Sequence, residues 1–147
     1  MAYLTLSSED LLSDLASRVK ARRRNFAGEQ IDLAQKYFMG KEYQSCVVCL
    51  ARATEHVLYS FGLEHFAKEV RSKSDADGMR DFFSEIEIWN RRKFTCTLRS
   101  NLGHDIGKFS RIRNNAVHAL ELNPNKTSVN DAIRIIDLAN DIIDGLI

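Results

Sequence analysis

Residues 42–63, EYQSCVVCLARATEHVLYSFGL, repeat their apolar side chains at the spacing of one face of an α-helix. The repeating positions are Val47, Leu50, Ala51, Thr54, Val57, Leu58 and Phe61. They form one continuous stripe, which is typical of a helix that packs one side against a core. This is the clearest helix signal in the chain, and Gly62 is its expected end.

The rest of the chain also favours helices. Helical spacing predicts helices at about 8–25, 29–39, 79–94 and 106–120, and a last helix that begins after Ser128. S-x-x-D sequences predict capping boxes at Ser7 and Ser128. Residues 71–78 and 100–105 and the Asn-Pro-Asn at 123–125 are expected to be loops or turns. The expected inward positions are Leu11, Leu12, Leu15 and Val19; Ile31, Leu33, Ala34, Tyr37 and Phe38; and Ala132, Ile135, Ile136, Ala139, Ile142 and Ile143.

Composition limits the class of protein. The chain has 147 residues with seven glycines and one proline, and no window alternates with the period of a strand. We therefore expect a single all-α domain over residues 1–147, an up-and-down bundle of about five to six helices. The start has no signal-peptide pattern, and no stretch is apolar enough to span a membrane. Three cysteines then suggest reduced thiols in the cytoplasm.

Several residue groups that attract attention have ordinary structural explanations. Cys46 and Cys49 form a CxxC inside a helix without further ligands, so no metal site and no cofactor are expected. A basic run, Arg18, Lys20, Arg22, Arg23 and Arg24, is expected at a solvated helix end, with a phosphate-binding patch as the alternative. His56 and His65 are expected on the surface, and His104 in the turn. Phe82, Phe83 and Trp89 are expected in the core.

The segment RIRNNAVHAL, residues 111–120, is harder to explain as ordinary structure. Asparagine is a poor helix former, yet two of them interrupt an apolar pattern here. On a helical wheel Arg113 lies on the apolar side with Ile106, Phe109, Ser110, Ala116, Val117 and Leu120. Arg111, Asn114, Asn115 and His118 lie together on the opposite side. The segment therefore predicts a compact polar face next to an arginine that needs a partner.

Arg113-Asn-Asn-Ala-Val-His118 resembles the Arg-x4-His signature of the HEPN superfamily (higher eukaryotes and prokaryotes nucleotide-binding). Residues 50–55, LARATE, resemble the "LRxxLE" helix of that family. The similarity extends over about residues 28–147, which leaves residues 1–27 as an additional N-terminal helix. The chain is most similar to small stand-alone or nuclease-associated members. Leu120 stands where the polymerase-partnered toxin branch has a tyrosine, so membership of that branch is not expected.

The resemblance implies a metal-independent endoribonuclease, or an RNA-binding domain derived from one, that acts as a homodimer. Arg113, His118 and Asn114 would then be catalytic, and Arg111 and Asn115 would bind the substrate. Defence and toxin–antitoxin systems are the expected settings, with a partner protein as a further candidate. Two alternatives stay open: a non-catalytic helical interaction module and a nucleotide-binding regulatory domain.

One structural prediction follows from the wheel. Glu55 lies at the edge of the stripe of residues 47–61, and Arg113 lies on the apolar side of its own helix. If these helices pack together, the two side chains should meet as an ion pair, with Glu55 as the structural partner of Arg113.

Overall fold

The computed structural model describes residues 7–65, 102–122 and 127–147, and the side chains of 7–61, 104–116 and 127–147. The described residues form five helices and no strand. These are α1 (Ser8–Ala21), α2 (Asn25–Met39), α3 (Tyr43–His65), α4 (Leu102–Leu122) and α5 (Val129–Asp144). The expected all-α helical bundle is confirmed. The predicted helix at 79–94, its aromatic residues and the loops at 71–78 and 123–125 lie outside the described residues.

The helix α3 occupies the centre of the bundle. It packs against α2, α4 and α5, while α1 packs against α2 and α5. Every predicted stripe position from Val47 to Leu58 is buried, and Phe61 is half-buried. Because α3 contacts three other helices, its buried surface is wider than one stripe, and Cys46, Cys49 and Ala53 are buried as well.

The helices α1, α2 and α3 form two successive antiparallel hairpins. Lys20 near the end of α1 forms an ion pair with Asp32, whereas Gln35 further along α2 reaches Ser13 near the start of α1. In the same way Phe26 contacts His56, and Phe38 at the other end of α2 contacts Tyr43. Short connections between the helices are consistent with this reversal of direction.

The predicted boundary between the first two helices was wrong. The helix α1 ends at Ala21, and α2 begins at Asn25, four residues earlier than expected. Arg23 has a left-handed backbone conformation, with φ of 60°, and its N–H donates to the carbonyl of Lys20. An early start of α2 places Ala27 and Gly28 at buried positions of the helix. A Cβ at Gly28 would lie only 2.5 Å from Cγ of Lys20, so a larger residue there would force the Lys20 side chain to move.

Two other boundaries also differ from the sequence-based expectation. The helix α3 continues past Gly62 to His65, and α4 begins at Leu102 instead of 106. His65 and His104 are therefore helical, and the side chain of His104 is exposed. Glycine inside a helix costs only about 1 kcal/mol, which the packing of neighbouring turns can offset. Asp105 in the first turn of α4 also favours a helix there through the helix dipole.

The last helix matches the prediction in detail. All six predicted inward residues of α5 are fully buried. Ser128 accepts a hydrogen bond from the backbone of Asp131, and the Asp131 side chain accepts one from the backbone of Ser128, which completes the capping box. At Ser7 only the bond from Asp10 N–H to the serine hydroxyl forms. On α2, Leu33 is 39% exposed, so its predicted inward position was wrong.

Candidate functional site

The helix α4 carries the Arg-x4-His segment along one side of the bundle. Ile106, Phe109, Ile112 and Ala116 are its buried positions. The buried face is thus centred further toward Ile112 than the wheel predicted. Arg113 consequently lies at the edge of this face, with 25% of its side chain exposed.

The predicted ion pair between Arg113 and Glu55 is confirmed. Nε of Arg113 lies 3.2 Å from Oε1 of Glu55, whose side chain is only 4% exposed. Oε1 has no hydrogen-bond partner among the described residues, so the contact is an ion pair without the alignment of a hydrogen bond. The pair joins the centre of α3 to α4.

The carboxyl group of Glu55 is perturbed by its surroundings. Burial raises the pKa of Glu55 from 4.5 to about 7, although the nearby charges of Arg113 and then Arg52 act in the opposite direction. Desolvation therefore outweighs the attraction of the two arginines. The proton on Glu55 is gained or lost near neutral pH, and with it the charge that faces Arg113.

A second contact fixes α4 against the start of α3. The Nε2 group of Gln44 donates a buried hydrogen bond of 2.7 Å to the carbonyl oxygen of Ala116. Ala116 lies between Arg113 and His118 in the motif. This hydrogen bond and the ion pair both cross the interface between α3 and α4, so they add two polar contacts to the apolar packing that holds the motif segment on α3.

The residues that the wheel places on the polar side of α4 are exposed or half-buried wherever their side chains are described. Arg111 and Asn115 are exposed, and Asn114 is half-buried. The Oδ1 atom of Asn114 accepts a hydrogen bond of 2.8 Å from a terminal nitrogen of Arg113. Asn114 therefore orients the guanidinium group instead of extending freely beside Arg111. The backbone of His118 belongs to α4, and its side chain lies outside the described part.

Two groups on α3 differ from the sequence-based expectation or extend it. His56 was expected on the surface but is half-buried, because its ring packs against Phe26 with centroids 5.0 Å apart. Cys46 and Cys49 are buried free thiols. Burial, and to a lesser degree Cys49, raises the pKa of Cys46 to about 12, so this thiol stays protonated at neutral pH.

Metal-binding clusters and membrane spans are both absent from the residues that the structure describes. No group of three or more histidine, cysteine or acidic side chains that could hold a metal ion occurs among them. None of the described helices is both long and apolar enough to cross a lipid bilayer.

Sequence reasoning identified Arg113, Glu55 and Asn114, and the structure brings these three together. It missed Gln44, whose polar side chain gives no sequence signal for a buried contact with a distant helix. Comparisons with family models, curated proteins and solved structures gave no match for this chain.

Proposed function

We propose that this chain is an RNA-binding helical domain that cleaves RNA without a metal ion, as a homodimer in which two copies of the 111–118 face line one cleft. The observation that supports this most is the position of Arg113. Its guanidinium is anchored to Glu55 and Asn114 and is still partly exposed, while Arg111 and Asn115 are exposed on the other side of α4. A fixed, partly exposed cation suits a phosphate group, and Arg111 with Asn115 offers a second cation and an amide on the same helix.

The proposed reaction needs no metal-bound water. The imidazole of His118 removes the proton of the ribose 2′-hydroxyl, and the 2′-oxygen attacks the adjacent phosphorus. The bond from phosphorus to the 5′-oxygen breaks, and a protonated imidazole returns a proton to that oxygen. Arg113 stabilises the negative charge that develops on the phosphate. The products are a 2′,3′-cyclic phosphate and a 5′-hydroxyl.

The dimer is part of the proposal because one copy of the motif is geometrically incomplete. Arg113 and His118 are five residues apart, which separates them by about 140° on an ideal helix. One protomer is therefore poorly arranged to direct both groups at one phosphate. A two-fold axis beside α4 would bring two histidines and two arginines together. Light scattering should show a dimer at tens of micromolar, and a monomer would contradict this arrangement.

A non-catalytic interaction module is the second candidate. Arg113 already has Glu55 and Asn114 as partners within its own chain. A half-buried arginine with such partners can have a purely structural role, in which it holds α3 and α4 together. In that case His118 would have no chemical role.

The decisive experiment incubates the purified chain with mixed RNAs in EDTA. The wild-type protein should cleave RNA, leave 2′,3′-cyclic phosphate ends and spare DNA, which lacks the attacking hydroxyl. His118→Ala should abolish cleavage and leave the melting temperature nearly unchanged, since the wheel places this residue opposite the apolar side. His104→Ala is the matched control, because this exposed histidine lies on the same helix.

Two outcomes would contradict the mechanism. Cleavage that requires added magnesium would indicate a metal-dependent reaction. Cleavage that persists in His118→Ala would exclude the imidazole as the essential group. A complete lack of activity on any RNA would favour the interaction module.

A further inference from the structure

An aromatic and basic surface lies where α1, α2 and α3 meet, away from the motif on α4. Phe26, in the first turn of α2, is 47% exposed. Its ring packs against His56 of α3 at an interplanar angle of 56°. The partly open ring pair is flanked by the turn that joins α1 to α2, which contains three consecutive arginines.

Several arginines lie in the segments that flank this ring pair. Arg22 and Arg23 are exposed, and Arg24 is half-buried and close enough to act on His56. Burial and then the charge of Arg24 lower the pKa of His56, which favours the neutral form of its ring. Arg52, one helical turn before His56 on α3, is also exposed.

Acidic groups are fewer among the described residues near the ring pair. Glu29 is exposed one turn after Phe26, Asp32 is held in an ion pair, and Glu55 is buried. The three arginines of the turn and Arg52 therefore outnumber these three carboxylates. Such an excess of cations around an exposed aromatic ring is complementary to a nucleic-acid strand.

Packing does not account for the exposure of Phe26. The helix α2 buries Ala27, Gly28, Ile31 and Ala34 against its neighbours. Phe26 precedes this set and faces His56 and solvent instead. A large aromatic ring that is half outside the core, beside several arginines, has the properties of a platform on which a base can stack.

The same surface is connected to the candidate site through α3. Glu55 and His56 are consecutive residues, of which the first contacts Arg113 on α4 and the second contacts Phe26 on α2. The exposed Arg52 lies beside both and acts on Glu55. The cation of Arg52 thus lies on the stretch of α3 that separates the arginine of the motif from the ring pair.

We infer that Phe26 and His56 form a stacking site for one unpaired base of single-stranded RNA, and that Arg22, Arg23 and Arg52 bind the phosphates on either side. This inference rests on the proposed RNA-binding function and adds its substrate class, because a base within a duplex cannot expose its face to the ring. It also favours the phosphate-binding alternative for the basic run in the sequence.

The test uses a 2′-O-methyl oligoribonucleotide with one 2-aminopurine, which cannot be cleaved because the attacking hydroxyl is blocked. Stacking of 2-aminopurine quenches its fluorescence, and anisotropy of an end label reports binding separately. Phe26→Ala should weaken binding about 5- to 100-fold and remove the quenching. Phe26→Leu keeps an apolar side chain and should also lose the quenching, whereas Phe26→Trp should retain it. Leu33→Ala, on the exposed side of the same helix, is the control.

The charges are tested by salt dependence. Arg22→Gln combined with Arg23→Asn removes two cations, and asparagine tolerates the left-handed backbone of position 23. The logarithmic salt slope of binding should then fall by about 0.7 for each phosphate that the variant no longer neutralises. Lys36→Gln removes an exposed cation elsewhere on α2 and should leave the slope unchanged.

The outcomes separate the two proposals. If the wild-type chain binds the oligonucleotide but the Phe26 and arginine variants bind equally well, the stacking site is wrong while RNA binding stands. If these variants lose binding and wild-type RNA is still not cleaved, the stacking site stands and the ribonuclease proposal fails. Absence of any binding by the folded wild-type chain, or stronger binding of a duplex of the same sequence, would overturn the stacking site.

Discussion

Arg18 and Arg113 each connect two helices of the bundle, but their surroundings differ. Arg18 joins α1 to α5 through Asp144 at 2.7 Å and Asn140, and it also contacts Asp14 on its own helix at 2.8 Å. Both carboxylates are at least half exposed. Among the residues that the structure describes, Arg113 has one carboxylate partner, Glu55, which is buried. Within that set Arg18 has more partners, whereas the energetic cost of losing a partner should be larger at Arg113.

The reason is desolvation. An exposed carboxylate that loses its arginine is solvated by water at once, so such pairs contribute little to stability. When a buried carboxylate loses its arginine, water does not reach the carboxylate to replace the guanidinium. Glu55 can then avoid the cost only by taking up a proton. The comparison therefore predicts that the stability lost on replacing Arg113 depends on pH, and that the stability lost on replacing Arg18 depends on salt.

Arg113→Ala should have the largest effect on stability. At pH 8, where Glu55 is ionised in the wild-type protein, we expect the free energy of unfolding to fall by about 1–4 kcal/mol. At pH 5 the loss should be smaller, because a protonated Glu55 does not need the guanidinium. Urea unfolding at both pH values measures this. Arg111→Ala, an exposed arginine on the same helix, is the control, and an equal loss in both variants would contradict the special position of Arg113.

Glu55→Gln should change the pH dependence of stability. The folded pKa of Glu55, about 7, is above its ordinary value of 4.5. The folded state therefore binds the proton more tightly than the unfolded state does. Its stabilising contribution is complete below pH 4.5 and is lost as the pH rises through 7. Relative to Glu55→Gln, the wild-type free energy of unfolding should fall by about 3 kcal/mol from pH 4 to pH 8. Parallel curves for the two proteins would contradict a raised pKa.

The sequence was sufficient for this site only in part. Helical spacing placed Arg113 on the apolar side and Glu55 at the edge of its stripe, and their ion pair followed from the assumption that these helices pack. Helical spacing did not predict that Glu55 is only 3% exposed, because the stripe indicated one buried side and α3 in fact packs against three helices. The raised pKa of Glu55 depends on that burial and could not be predicted from the sequence.

The helices too were predictable where they depend on nearby residues in the sequence, and not where they depend on contacts between helices. The capping box and inward residues of α5 were predictable because they depend on neighbours in the sequence. The break between α1 and α2 was not, since it depends on a left-handed Arg23 and on the approach of Gly28 to Lys20 across the interface. His56 was misplaced for a similar reason, because its partner Phe26 lies thirty positions earlier in the numbering.

Arg18→Ala should have the smallest effect. Its partners are exposed or half-exposed, so we expect a loss of at most about 1 kcal/mol, although the guanidinium touches three side chains. The loss should shrink further in 1 M salt, because screening weakens exposed ion pairs. Thermal unfolding at low and high salt tests this. A loss at Arg18 that exceeds the loss at Arg113 at pH 8 would reverse the comparison.

The titration of Glu55 itself tests most directly whether Arg113 is held by a buried, proton-coupled carboxylate. Carbon-13 NMR of the glutamate side-chain carboxyl groups, assigned with the Glu55→Gln protein, gives this pKa without unfolding the chain. We expect a midpoint of about 7 in the wild-type protein and a higher midpoint in Arg113→Ala, where the attraction of the guanidinium is absent. A wild-type midpoint at or below 4.5, or one that does not move in Arg113→Ala, would contradict the proposed pair.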